Sequence, residues 1–321
     1  MMNLTRAEAA EFLKEQDNYV ILTHARPDGD TVGSSAALCL GLRSLGKTAH
    51  VLRNPGITPR YAWLHEGLTV EEAGENDTII STDVASPGML PQEFQHLLDR
   101  VVLRIDHHGS ATSFTEQELV DPNSASCAEV IWDVLACLGV SPEPRLMDAI
   151  YVGLSTDTGC FRFANTTAHT FRVAAICAQY GAKVFELNQQ LFETNTLGKL
   201  RMQAWMVEHM QMLGGDTMAI CAIPKAVEER LGVSSDDMDN ISNFPRSVAG
   251  VNIAATLREA ENGVVKLSVR AVPGYDATRI AVRFGGGGHK GAAACRLYCS
   301  YDEAKQRFLE SAKITLEGIS V

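Results

Sequence analysis

Apolar, β-rich runs alternate with helical patterns through the first half of the chain, and no other feature limits its fold as much. "YVILT" (19–23) precedes a small-residue helix, "VGSSAALCLGLRSLG" (32–46). "TAHVLRN" (48–54), "TIISTDVAS" (78–86) and "RVVLRIDHHG" (100–109) read as further strands, "CAEVIWDVLACLG" (127–139) and "EPRLMDAIYVGLSTDTG" (143–159) as further helices. Strands that are apolar along their whole length are buried on both faces. The pattern therefore predicts an α/β fold: a parallel sheet flanked by helices.

Residues 184–213 predict a helix, either one connecting this domain to a second or a core helix, which periodicity alone does not separate, with a break at Gly214-Gly215. After it, "DTMAICAIP" (216–224), "VAGVNIAATLREA" (248–260) and "GVVKLSVRAV" (263–272) predict strands of a second, smaller α/β domain, and the polar stretch 234–243 a surface loop. The expected boundaries are 1–185, 186–213 and 214–321. A length of 321 residues suits about two domains.

Chemistry-bearing residues gather at the ends of the first strands. In "THARPDGDTVGSS" (23–35), His24, Asp28 and Asp30 follow the first strand; Asp83 ends "TIISTD"; Asp106, His107 and His108 end "VVLRI"; Asp157 lies in "STDTG". Taken singly, each has a plain explanation: Pro-Asp-Gly is turn chemistry, and an aspartate at a strand end commonly caps a helix. Taken together, they lie where an open parallel sheet collects its ligands, outside the carboxyl ends of its strands. Carboxylates and imidazoles without a thiolate suit Mn²⁺, Mg²⁺ or Co²⁺ better than structural zinc. Four carboxylates and two or three histidines exceed one ion's needs, and suit a pair about 3.5–4 Å apart that cleaves phosphoryl esters.

Composition narrows the partners. Net charge is −11, against a protein that coats long nucleic acid, yet residues 258–296 carry seven Lys/Arg against three acids, a local basic patch able to hold a small anion. No apolar run approaches the roughly 18–20 residues that span a bilayer. The first 18 residues read as an amphipathic helix without a signal peptide's apolar centre, so the expected location is the cytoplasm. Eight cysteines without a C-x-x-C pair read as reduced, buried thiols.

In the second domain, Gly286, Gly288 and Gly291 match G-x-G-x-x-G. The preceding "ATRIAVRF" looks helical and only thirty residues follow, so the dinucleotide-binding context is missing. The preferred reading is a backbone cradle for an anion, built on Gly286, Gly287 and Gly288 and completed by His289, Arg270 and a helix beginning near residue 290.

"THARPDGDTVGSS", "STD", "RIDHHGS" and "LSTDTGCFRFANTT" resemble, in order, the four signature motifs of the DHH phosphoesterase superfamily, and "RFGGGGHKGAAAC" (283–295) resembles the glycine-rich motif of the DHH-associated C-terminal domain. Together with "NFPRSVAGVNIAATLRE", the layout looks most like the NrnA-like branch, the nano-RNase/pAp phosphatases. The resemblance covers nearly the whole chain and implies a two-lobed enzyme with metals in the cleft. It assigns His24, Asp28 and Asp83 to one metal ion, and Asp30, Asp83, His107 and Asp157 to a second, with Asp83 bridging. It has His108 face the scissile phosphate, Asp106 orient a histidine ring, and Arg162 contact phosphate. The family usually ends the glycine-rich motif with A-A-G, where this chain has Ala293-Ala294-Cys295.

The expected activity is metal-dependent hydrolysis, with two divalent ions, Mn²⁺ first, of short oligoribonucleotides such as pGpG to mononucleotides, and of the 3′-phosphate of pAp. The alternatives are a cyclic-dinucleotide phosphodiesterase using the same site and a RecJ-like single-strand exonuclease. Expected partners are short RNA or small nucleotides, not long duplexes or membranes; a homodimer is left open.

Overall fold

Strands apolar on both faces need two layers of cover, and β2 shows how this chain supplies them. Tyr19 and Ile21 join one core with the helices on one side of the sheet, while Val20 and Leu22 join another with Leu52, Ile79, Phe94 and Val101. Successive side chains of a strand point to opposite faces. Each fully buried Leu or Ile in these layers contributes about 1.5–3 kcal/mol. The structure, a computed structural model, describes residues 2–109, 112–234, 236–238, 241–260 and 263–317. It divides into two compact units, Met1–Thr194 and Asn195–Val321.

Among the described residues, the first unit holds seven strands: β1 (Met2–Asn3), β2 (Tyr19–Leu22), β3 (Ala49–Leu52), β4 (Thr69–Val70), β5 (Thr78–Thr82), β6 (Val101–Asp106) and β7 (Gln117–Val120). They lie in the order β1-β7-β6-β5-β2-β3-β4, and every pairing is parallel. From β2 the chain builds outward through β3 and β4, then returns to β5 and builds the other way. The reversal makes the gap between β2 and β5 a topological switch point, where such sheets bind ligands.

The helices are α1 (Arg6–Glu15), α2 (Gly29–Ser44), α3 (Pro59–Ala62), α4 (Cys127–Cys137), α5 (Pro144–Asp157), α6 (Ala168–Gln179) and α7 (Val184–Asn188). The small residues of α2 let it pack closely on α5. A Cβ on Gly33 would lie 2.5 Å from the Ala149 carbonyl oxygen, and one on Gly153 would lie 2.8 Å from Asp30 Oδ1. Glycine at both positions lets the helices meet and seats Asp30 between them.

The second unit contains α8 (Leu197–His209), β8 (Gln211–Leu213), β9 (Met218–Ile223), α9 (Lys225–Leu231), β10 (Ile253–Glu259), β11 (Val264–Ala271), α10 (Thr278–Ala281), β12 (Gly287–His289), β13 (Ala292–Tyr298) and α11 (Tyr301–Glu317). Its sheet, in the order β12-β13-β11-β10-β9-β8, is antiparallel except for β9 with β10. Its core is built on Ile220, Leu257, Leu267, Val269, Ile280 and Phe308.

Four sequence expectations change. Residues 184–213 are not one helix: α7 runs into a π-helical turn at Gln189–Glu193, Thr196 caps a new helix, α8, and β8 follows. Contacts place residues up to Thr194 in the first unit and α8 in the second. No helix begins near 290; Ala293, Cys295 and Leu297 alternate inward on β13, which pairs with β11 and β12. The alanines there pack as a strand because two neighbours supply backbone partners. Within 234–243, Asp237, Met238 and Ile241 are buried, the last two against Met202 and Met206 of α8. Finally, all eight cysteines are free, but Cys137 is exposed and Cys160 and Cys299 are only half-buried.

Candidate metal centre

The loop after β2 delivers three side chains in one turn of chain. Asp28 caps α2, its Oδ1 accepting the amides of Asp30 and Thr31 at 3.1 Å each. The carboxylate that caps the helix thus also stands in a cluster that could hold a metal ion. Asp30, on the first turn of α2, points into the protein, where its two oxygens accept the Cys127 and Ala128 amides at 2.6 and 2.9 Å. Those amides open α4, and the positive end of a helix favours a carboxylate. His24 is held from behind by Asn54, whose Nδ2 donates to the His24 carbonyl at 2.9 Å.

Asp83 follows β5 in a left-handed conformation, φ 59°, and its amide donates to the Ile105 carbonyl. A non-glycine residue held there costs of order 1–3 kcal/mol, and such strain concentrates at functional sites. After β6, Asp106 Oδ1 accepts the His107 and His108 amides at 2.7 and 3.2 Å and His108 Nδ1 at 2.8 Å. One buried oxygen thereby folds the turn and aims a ring. His107 Nδ1 faces the Ser124 carbonyl at 3.4 Å, which turns its Nε2 toward the acids.

These segments meet. His107 Nε2 lies 3.4 Å from Asp157 Oδ2, 3.7 Å from Asp30 Oδ2 and 3.8 Å from Asp83 Oδ1; His24 Nε2 lies 3.6 Å from Asp83 Oδ2, and His108 Nδ1 lies 3.5 Å from Asp83 Oδ1. Three overlapping clusters result, each with ligand atoms within 4.8 Å of one another: His24–Asp28–Asp83, Asp30–His107–Asp157 and Asp83–His107–His108. Asp83 belongs to two of them. His108, expected to face substrate, also stands close enough to serve as a ligand.

The electrostatics are those of crowded acids short of positive charge. Burial, with Asp83, Asp157 and Asp28 nearby, holds Asp30 well above the usual carboxylate range despite the Ala128 amide. Burial also pushes Asp157 up to about 7; Asp28 and Asp83 add to this and His107 opposes it. Asp83 goes the other way, to about 2, because the adjacent His24 and the charges of His107 and His108 outweigh its burial. Burial would lower His108, but the Asp106 hydrogen bond and the fields of Asp83, Asp106 and Asp157 raise it to about 9.

Asp83 Oδ1 and Asp106 Oδ2 are buried without a hydrogen-bond partner among the described residues. An orphaned buried carboxylate oxygen is costly unless something positive meets it. A divalent cation fits at Asp83, and an all-oxygen-and-nitrogen donor set suits Mn²⁺, Mg²⁺ or Co²⁺. The nearby Cys127 thiol is kept protonated by burial and the fields of Asp30, Asp83 and Asp106, and faces the Ile105 carbonyl at 3.4 Å.

The remaining candidates lie outside these clusters. Arg162 is exposed on the turn after α5, its Nε donating to the Gly159 carbonyl at 2.6 Å. In the second unit, Arg270 donates from Nε to Asn243 Oδ1 at 2.8 Å and registers with Ala292, which registers with His289. The His289 side chain lies outside the described residues. A Cβ on Gly286 would fall 2.3 Å from the Ala294 carbonyl oxygen, and one on Gly288 (φ 141°) 2.5 Å from that of Ala292. Both glycines are therefore required by the close approach of β12 to β13, whereas Gly287 has open space.

Sequence reasoning passed over Thr31, Asn54 and Arg104. Arg104 is 1% exposed inside β6; it pairs with Glu118 at 2.7 Å and donates to the Ala85 and Thr112 carbonyls, tying the Asp83 loop to the chain after His108. A charged residue within the apolar run "VVLRI" was its one signal.

Residues 18–154 match the DHH family, N-terminal domain, and residues 215–318 match the DHHA1 domain. The chain belongs to the DHH phosphoesterase family, with a DHHA1 domain in its second unit. It is 33% identical to a bifunctional oligoribonuclease and PAP phosphatase, NrnA, of Thermus thermophilus, over 95% of this chain and 92% of that protein. It is 24% identical to the enzyme of the same name from Bacillus subtilis, over 93% and 95%. A solved exopolyphosphatase-related protein from Bacteroides fragilis shares the fold, with a TM-score of 0.81 at 23% identity over 97% of both chains. Among the described residues, no helix is long and apolar enough to cross a membrane.

Proposed function

We propose that this chain is a metal-dependent phosphoesterase that cleaves short oligoribonucleotides such as pGpG to mononucleotides and removes the 3′-phosphate of pAp. The observation that carries the reading is the convergence of His24, Asp28, Asp30, Asp83, His107, His108 and Asp157 at the switch point of the parallel sheet. The substrate class rests on the Thermus thermophilus relative, whose name states both activities and whose match spans 95% of this chain.

In this reading, His24, Asp28 and Asp83 hold one divalent ion, and Asp30, Asp83, His107 and Asp157 hold a second, Mn²⁺ being the expected metal. Such ions supply Lewis acidity and an activated water at neutral pH. The four carboxylates of the two ligand sets balance two divalent charges, so the loaded site accepts an anion rather than repelling it. His108, tied at Nδ1 to Asp106, presents Nε2 to the scissile phosphate and gives a proton to the leaving oxygen. Arg162 contacts phosphate. In the second unit, Arg270, His289 and the amides of Gly286, Gly287 and Gly288 hold the rest of the nucleotide. The enzyme works in the cytoplasm on short RNA and small nucleotides.

The deciding assay offers purified protein with Mn²⁺ pAp, pGpG, cyclic di-AMP and RNAs of graded length. Turnover of pAp and pGpG that falls as RNA lengthens beyond a few nucleotides is the expected result. Preference for cyclic di-AMP would replace the reading with a cyclic-dinucleotide phosphodiesterase, and rates rising with RNA length with a single-strand exonuclease.

A further inference from the structure

Thr31 sits inside the candidate metal centre without belonging to any of its ligand sets. It is fully buried on the first turn of α2, between Asp30 and Val32. Its Oγ1 lies 2.5 Å from His24 Nε2, 2.5 Å from Asp83 Oδ2 and 3.2 Å from Asp28 Oδ1. These are the three residues of one cluster, and a single hydroxyl reaches all of them. The Asp30–His107–Asp157 cluster is built differently. There His107 Nε2 stands 3.4 and 3.7 Å from Asp157 and Asp30, and no hydroxyl joins the three among the described residues.

A hydroxyl carries one proton and two lone pairs: Thr31 gives its proton to Asp83 Oδ2, with Asp28 Oδ1 the alternative acceptor, and meets His24 Nε2 with a lone pair, so it stands between groups that would otherwise face one another. It also takes up the imidazole nitrogen and the carboxylate oxygens that a cation would need. Filling that cluster therefore breaks hydrogen bonds to charged groups, whereas Asp83 faces the other cluster with Oδ1, which holds no hydrogen bond among the described residues, and Thr31 is bonded to Oδ2. Threonine in a helix has a second χ1 well in which Oγ1 bonds a carbonyl three or four residues back, here Asp28 or Pro27. That rotamer gives the displaced hydroxyl somewhere to go.

We propose that Thr31 is a positioning residue that sets the order of metal loading: its hydroxyl holds His24, Asp28 and Asp83 together in the empty protein and must yield before a cation takes them. The Asp30–His107–Asp157 cluster then fills first, at lower cation concentration. This rests on the reading that the centre holds two divalent ions.

The test is a Mn²⁺ titration of the metal-free, full-length protein, following the electron paramagnetic resonance signal of free Mn²⁺. The wild type should bind two equivalents in two phases. Thr31→Val keeps the side-chain shape and removes the hydroxyl, so the weaker phase should tighten on the order of tenfold, the scale of a hydrogen bond to a charged group. The tighter phase should stay in place. Thr31→Ser, which restores the hydroxyl, should return the wild-type phases, and if valine disturbs the packing, Thr31→Ala must give the same tightening. A weaker phase that is unmoved or further weakened, or an equal shift of both phases, overturns the loading order while leaving the two-ion reading intact. A wild type that binds a single equivalent overturns the two-ion reading, and the loading order with it.

Discussion

The two units differ in what their sheets do with strand ends. In the first, every strand runs the same way, so β2, β5 and β6 bring their carboxyl ends to one edge and side chains from four stretches of sequence meet there. In the second, β10, β11 and β13 form an antiparallel ladder, which sends consecutive ends to opposite edges. Among the described residues, every cluster able to hold a metal lies in the first unit. The glycine-rich strand β12 instead achieves close backbone approach. One unit concentrates charge at a point; the other brings glycine backbone up against a neighbouring strand. On the proposed reading, the first unit does the chemistry and the second grips the nucleotide.

The sharpest way to break that division is to remove the residue shared by two of the clusters. Asp83→Ala should lower kcat by at least about a thousandfold, since it empties one position in each of two overlapping clusters while the layers around β5 stay packed. Circular dichroism should be unchanged, and a chelator should silence the wild type equally. Full activity in chelated buffer would sink the metal reading.

Next comes the histidine pair. His107→Ala should cost bound metal, read by elemental analysis. His108→Ala should keep the metal and lose about a hundredfold or more in kcat, the usual weight of a general acid. Equal metal loss in both would make His108 a ligand, as its 3.5 Å approach to Asp83 allows.

A third expectation concerns a buried histidine of the first unit that takes no part in the centre. His65 bonds Ser35 Oγ at 2.9 Å, and burial lowers its pKa to about 4 despite the Val32 carbonyl. The folded state thus binds fewer protons than the unfolded one. The stability concerned is full above the unfolded value near 6.5 and is lost as pH falls from there to about 4, about 3 kcal/mol in all. Urea unfolding at pH 7 and pH 4 should show a pH-dependent loss smaller by that amount in His65→Gln. Identical pH slopes would refute it.

The second unit offers a contrast within one strand. Gly288→Ala puts a Cβ at φ 141°, 2.5 Å from a backbone oxygen that cannot move aside, and should cost about 2 kcal/mol or more. Gly287→Ala meets nothing within 4 Å and should leave stability within about 0.5 kcal/mol. If Gly287→Ala nonetheless raises KM for pAp, its backbone face binds substrate; an unchanged KM removes it from the cradle.

The last expectation concerns Arg270. Arg270→Ala removes a charge-assisted contact of about 1.5–3 kcal/mol, roughly tenfold to hundredfold in kcat/KM, for pAp and dinucleotides. Bis-p-nitrophenyl phosphate, which needs only the metals, should be nearly unaffected. Equal losses on both substrates would mean that the second unit does not grip the nucleotide.

The first unit was the more legible of the two because its signals are strong over short distances. Continuous apolar runs located the starts of β2, β3, β5 and β6 to within one residue, while the expected ends of β5 and β6 ran three to four residues too far, into the loops that carry the acids and histidines. Short or weakly patterned elements escaped: β7 and α6 carry no long apolar run, and β8 was absorbed into the helix expected over 184–213. Thr196 could have announced the restart there, since its side chain caps the Lys199 amide. In β13, "AAAC" has no helical or strand preference strong enough to compete with two hydrogen-bonding neighbours.

By itself, the sequence determined the alternation of strands and helices, the parallel first sheet, and the set of aspartates and histidines at its edge, because residue type, period and local order are properties of the chain alone. Only the tertiary structure decided which of those side chains share a cluster, that Asp83 stands in two of them, and that His108 is tied to Asp106. It also revealed Thr31 at the meeting point of His24, Asp28 and Asp83, and showed that Gly286 and Gly288 are demanded by strand packing. Each of those facts depends on distances between segments tens of residues apart, which no local pattern encodes and which follow only when the strand ends are brought to one edge.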